Sequence, residues 1–148
     1  MSINVCNDRS MASITSLPSG VSGGSLVLLS TTTASSSSTV DITSNIDSTY
    51  KEYIIKVIDI HPSTGQDFRF QVNAAGGSGF NETITSTHFR AFHNEAGDTT
   101  SLAYSTTHDL AQGTGAQILF NGVGADNDQS ASGTLHLFDP SNKIGRAV

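Results

Sequence analysis

Tyr50-Lys-Glu-Tyr-Ile-Ile-Lys-Val-Ile-Asp-Ile60, closed by His61-Pro62, is the stretch that decides the fold. Five of its eleven residues are Ile or Val, whose branched side chains suit a pleated surface better than a helix. With period two, Tyr53, Ile55 and Val57 share one face and Ile54, Ile58 and Ile60 the other. Apolar residues on both faces predict a strand in the centre of a sheet or at a subunit contact.

Working outward, the same signal recurs. Residues 66–73 alternate, with Phe68, Phe70 and Val72 inward and Arg69, Gln71 and Asn73 outward. Upstream, Thr39-Val-Asp-Ile-Thr43 alternates and predicts Val40 and Ile42 inward, while Ser25-Leu-Val-Leu-Leu-Ser30 predicts a strand buried on both faces. Downstream, residues 83–94 carry Ile84, Phe89 and Phe92, and Glu95-Ala-Gly-Asp98 turns the chain into residues 99–105. Ala116-Gln-Ile-Leu-Phe120 and Gly133-Thr-Leu-His-Leu-Phe138 complete about eight strands. No window holds the i, i+3, i+4, i+7 stripe of an amphipathic helix. The expectation is an all-β chain, an antiparallel β-sandwich of jelly-roll type, over residues 25–148. Residues 1–24, rich in Gly, Ser and turn signals, are expected to be a flexible N-terminal arm.

Composition narrows the function classes. The 148 residues carry 7 Lys+Arg against 13 Asp+Glu, a net charge of -6. Scattered bases on an acidic chain predict neither nucleic acid nor an anionic membrane as partner. Ser and Thr fill about a quarter of the positions, a bias towards exposed strand faces and turns. Cys6 is the only cysteine, so no disulfide can form within the chain. The N-terminus lacks a basic segment followed by an apolar one, which predicts no secretory signal.

No catalytic constellation is expected. The chain has no G-x-S-x-G nucleophile turn, and no Lys-Ser/Thr follows its glycine-rich loops. Five histidines, at 61, 88, 93, 108 and 136, lack metal-ligand spacing within one element. The nearest approach to a cation loop is Gly122-Val-Gly-Ala-Asp126-Asn127-Asp128-Gln-Ser130. There Asp126, Asp128 and Ser130 offer oxygens to Ca²⁺, without the sixth-place glycine and closing Glu of an EF-hand. A polar loop is the expected state, and no cofactor is expected. Stacking rings framed by polar groups suit a glycan, and Tyr53, Arg90, His93 and Tyr104 are the candidates.

A set of motifs then gives a resemblance. Leu28-Leu-Ser-Thr-Thr-Thr-Ala-Ser35, Ile46-Asp-Ser-Thr-Tyr50, Asp59-Ile-His-Pro62 and Asp67-Phe-Arg-Phe70 resemble a family of uncharacterised structural proteins of marine tailed bacteriophages. Phe89-Arg-Ala-Phe-His-Asn-Glu95, Leu102-Ala-Tyr104, Asp109-Leu-Ala-Gln112, Asp128-Gln-Ser130 and Gly133-Thr-Leu-His-Leu-Phe-Asp-Pro140 extend it over nearly everything after residue 11. The resemblance implies a non-enzymatic virion component, displayed as a tail fibre, spike or receptor-binding part. The missing secretory signal predicts assembly in the host cytoplasm and release in a particle, and the virion component is expected to be a homo-oligomer, a trimer.

The alternatives are a capsid decoration protein or a carbohydrate-binding module. Other virion proteins are the expected partners, contacted through residues 1–24, together with a host-surface glycan. Family members run on past the Asp-Pro-Ser segment, whereas Lys143-Ile-Gly-Arg-Ala-Val148 offers no obvious closing strands. The C-terminal strands are therefore expected to be missing or supplied by a neighbouring subunit.

Overall fold

The structure is a computed structural model that describes residues 26–141 and the backbone of residues 146–147. The expected arm over residues 1–24 lies outside the described residues, as does Cys6. The chain divides between Asn45 and Ile46 into two units.

Of the first unit, residues 26–45 form no strand. Leu26, Val27 and Leu28 are exposed, Leu28 to 83%, which corrects the buried strand expected there. Val40 and Ile42 are exposed as well. Apolarity and alternation make a segment competent for a strand, but a strand exists only where a partner supplies the ladder. Neither segment has one within the described residues.

The described residues of the second unit form seven antiparallel strands: β1 (Glu52–Ile60), β2 (Gln66–Phe70), β3 (Phe89–His93), β4 (Thr100–Tyr104), β5 (Gln117–Val123), β6 (Ala131–Phe138) and β7 (Arg146–Ala147). They form three small sheets, ordered β1-β6-β7, β2-β5 and β3-β4. The described residues contain no helix. Among the described residues β1 is an edge of its sheet, so of the two positions its apolar faces suggested, the sheet centre is corrected and the subunit contact is not. The centre is β6, flanked by β1 and by β7, a closing strand that the C-terminal sequence did not announce.

Three register shifts shape these sheets, one in the β1-β6 pair and two in the β2-β5 pair, the last of these between Phe68 and Arg69. In β1, Val57 opposes Gly133 and Ile60 opposes Ala131, so Ile58 and Asp59 face one residue, Ser132. Asp59 takes a φ of 54°, a left-handed conformation that Asp tolerates better than most residues. Its N–H donates to the Ser132 hydroxyl at 3.0 Å. The extra residue breaks the period of two. Ile60, opposite Ala131, therefore shares the face of Tyr53, Ile55 and Val57, and Ile58 is left 75% exposed. This corrects the expected grouping of Ile58 with Ile60.

The second bulge lies in β5, where Gln66 opposes Val123 and Phe68 opposes Phe120. Gly122 supplies the left-handed residue, at φ 65°. The Asp67 carboxylate sits opposite and accepts the Gly122 N–H and the Asn121 amide, both at 2.9 Å, and the Arg69 guanidinium at 3.0 Å. Gly122 first, then Arg69, holds the Asp67 carboxyl below its ordinary range.

The core is small. Tyr53, Leu135 and Leu137 form its buried cluster, and Ile55, Phe70 and Leu119 pack against it. Phe70 of β2 and Leu119 of β5 thus place the β2-β5 sheet over the β1-β6 face. Phe68 and Phe120 add a tilted ring contact at 5.7 Å. Val72, expected inward, lies beyond the end of β2 and is exposed.

Candidate functional site

The β3-β4 ribbon stands as a sheet of its own. Its turn is built by Asn94, whose N–H donates to the Thr99 carbonyl at 2.9 Å and whose side-chain oxygen accepts the Thr99 N–H at 3.0 Å. Gly97 closes that turn with a φ of 71°. The register pairs Phe89 with Tyr104, Ala91 with Leu102 and His93 with Thr100. Opposed residues share a face, so one face carries Phe89, Leu102 and Tyr104. Phe89 is 70% and Leu102 83% exposed. Phe89 and Tyr104 meet edge to face at 5.2 Å. The Tyr104 hydroxyl donates to the Asp109 carboxylate, which holds the phenol above its ordinary pKa. The opposite face carries Phe92, with the Arg90 guanidinium 4.8 Å from its ring centre.

Between β3 and β5 runs an open groove of about 640 Å³, walled by residues 88–92, 119–124 and 128–131. A second cavity of about 220 Å³ lies between Val57, Leu135 and Gly133 on one side and Leu119 and Phe120 on the other. Leu119 and Phe120 border both. The larger groove falls in the size range of ligand and peptide sites.

Beside the groove lies a polar network that the sequence did not signal. Gln117, at 8% exposure, is the only buried polar residue among the described residues. Its amide donates to the carbonyls of His108 and Ile118, each at 2.8 Å, and its oxygen accepts the Ser86 hydroxyl. Ser86 in turn accepts the Leu110 N–H at 2.9 Å. The rings of His88 and His108 lie 5.2 Å apart, with His88 Nδ1 buried and unbonded. Ser105 Oγ is 2.5 Å from His108 Nδ1, the reach of a nucleophile and its base. That contact closes the short turn in which His108 N–H bonds Ser105 O. Among the described residues no carboxylate orients the imidazole.

The four glycan candidates are not brought into one site. Tyr53 is 5% exposed. Its hydroxyl bonds the Asp47 carboxylate at 2.9 Å and accepts the Asp47 N–H at 3.0 Å. Its ring is core, unavailable for stacking. Arg90 lines the groove, whereas His93 and Tyr104 lie on the other face of the ribbon, at opposite ends. The expected calcium oxygens lie in the loop between β5 and β6. The Asp126 carbonyl accepts the Gln129 N–H and His61 Nε2, each at 2.9 Å, and Asp128 and Ser130 face the groove. No group of three or more His, Cys, Asp or Glu is placed to hold a metal among the described residues. Compared with protein-family models, curated proteins and solved structures, the chain matches none.

Proposed function

We propose that this chain is a non-enzymatic structural subunit of a bacteriophage particle surface, a tail fibre, spike or receptor-binding part that works as a homo-oligomer. The observation that carries the reading is the mismatch between covered and uncovered apolar surface. Among the described residues, four apolar side chains are buried: Tyr53, Val123, Leu135 and Leu137. Phe89, Leu102, Ile58 and Phe80 stand open. A two-stranded ribbon is marginal alone in water, and monomers rarely leave large apolar patches bare. Neighbouring subunits that cover the ribbon resolve both problems, and they supply the closure that turns three small sheets into a jelly-roll sandwich.

The virion assignment rests on the motif resemblance, and the association on the geometry. A carbohydrate-binding role ranks behind, because only Arg90 of the expected contributors lines the groove. Light scattering on the full chain tests the association, with a trimer expected. A stable 15.4 kDa species across the micromolar range would overturn it. Mass spectrometry of purified particles from cells producing this chain tests the location. Finding it only in the unassembled fraction refutes the virion part.

A further inference from the structure

The groove between β3 and β5 touches consecutive residues of both strands, 88–92 and 119–124. Side chains of a strand alternate between faces, so a cavity lying on a face meets every second residue. β3 pairs without a register shift, so contact with its consecutive residues places the groove along its edge, and β5 contributes its bulged stretch opposite. The edges are free: β5 pairs only with β2, and β3 only with β4, among the described residues. The groove is therefore a slot bounded by unused backbone donors and acceptors, with Phe92, Phe120 and Val123 among its apolar walls.

The same chain carries an extended apolar run with no place in any sheet. Leu26-Val-Leu-Leu29, followed by Ser30, is uncharged, contains no Pro or Gly, and is exposed. At five residues, 26–30 match the five of β3. The run is followed by Thr31-Thr-Thr-Ala-Ser-Ser-Ser-Ser38, and 16 residues separate Leu29 from Ile46, which span about 50 Å when extended. That exceeds the diameter of a unit of some 100 residues, whose radius of gyration is about 13 Å. The tether thus reaches an adjacent subunit.

From this pairing of an empty slot with an uncovered run we propose that residues 26–30 of one copy insert as a strand between β3 and β5 of a second copy. The inserted strand joins β2-β5 and β3-β4 into one five-stranded sheet, opposite β1-β6-β7. Seven strands become eight, the number of a jelly roll. A stable interface needs about 800 Å² from each partner. In an exchange every copy contributes its own run and its own slot, so both count on each side. The inference rests on the oligomeric reading above and names the surface that makes it.

Two measurements on the full chain test it. In a Cys6→Ser background, Leu26, Val27 or Leu28 is changed to Cys together with Ala91→Cys, an exposed slot residue. Mild oxidation is expected to give covalent dimers and higher species on non-reducing gels. Cross-linked monomers alone, or no cross-link at all three positions, overturn the exchange. Leu28→Asp changes a side chain that is exposed in the single copy, so the β signal in circular dichroism is expected to persist while the mass falls to one chain. An oligomer unmoved by Leu28→Asp and uncross-linked defeats this inference and leaves the oligomeric reading standing. A wild-type monomer defeats both.

Discussion

Replacing Gln117 by Leu probes how a buried amide holds the loops of this fold together. Gln117 belongs to β5, but its side chain fastens two segments outside it. Its oxygen holds Ser86, next to the Ile84–Gly113 bridge, and its amide holds the carbonyl of His108. Leu fills nearly the same volume, so the change isolates the polar bonds. It strands the Ser86 O–H and the carbonyls of His108 and Ile118. A stranded buried group costs about 1–3 kcal/mol. All three lie in half-buried residues, which places each near about 1 kcal/mol.

Burying a leucine in place of an amide returns about 1 kcal/mol, leaving a net loss of about 2 kcal/mol. With a urea slope of about 1–3 kcal/mol per M, the midpoint moves by about 1 M. The measurement is urea unfolding at one fixed protein concentration, since association shifts apparent stability. Hydrogen exchange should show the loss first at the amides of Ile84, Ser86, Leu110 and Gly113, which bond across these segments. Adding Ser86→Ala to Gln117→Leu should cost clearly less than Ser86→Ala alone. A midpoint moved by less than about 0.3 M, or additive costs, would refute the network as the fastener.

Two further outcomes follow from local geometry. A Cβ on Gly133 would stand 2.6 Å from Phe120 Cζ, so Gly133→Ala should lose about 1–3 kcal/mol by overpacking; thermal melts should show Phe120→Leu restoring most of it, and no recovery would contradict the clash. On acidification, Asp47, Asp67 and Asp98 are all held below their ordinary range, by Thr49, Gly122 and Asn94 respectively as the leading partners. Their contribution is therefore complete above the unfolded value near 4 and is lost as pH falls through the lowered folded values. Unfolding midpoints should hold from pH 7 to about 5 and drop below about 4, and Asp67→Asn should flatten that drop; an unchanged slope would count against it.

Strands marked by branched residues or by clean alternation of apolar and polar positions were legible in the chain. The expected stretch Tyr50–Ile60 became β1, residues 66–73 contained β2, and Gly133–Phe138 lay inside β6. What escaped was pairing. Leu26–Leu29 and Val40–Ile42 have the chemistry of strands, yet strand identity depends on a ladder that no local pattern encodes. The bulges escaped for a related reason. One extra residue in a pair is visible only once both strands are aligned, so the inversion of Ile60 could not be read from β1 alone. The candidate site was less legible still. Arg90, named as a polar group able to frame a stacking ring, lines the groove, whereas Gln117 looked like one polar position among many, its partners lying 9 and 31 residues away.

The bulge at Ile58–Asp59 bears on how β1 resists pairing with a second chain. β1 is a nine-residue strand with one side unpaired among the described residues, the kind of border along which chains can stack without limit. Asp59 turns the backbone out of line and sets a carboxylate close to the end of that border, so an arriving straight strand meets donors and acceptors at the wrong spacing. The groove beside β5, by contrast, is where the proposed exchange seats one strand. In the exchange proposed above each added copy brings a new slot, so growth ends only where the rotation between copies closes a ring, and the bulge keeps β1 out of that growth.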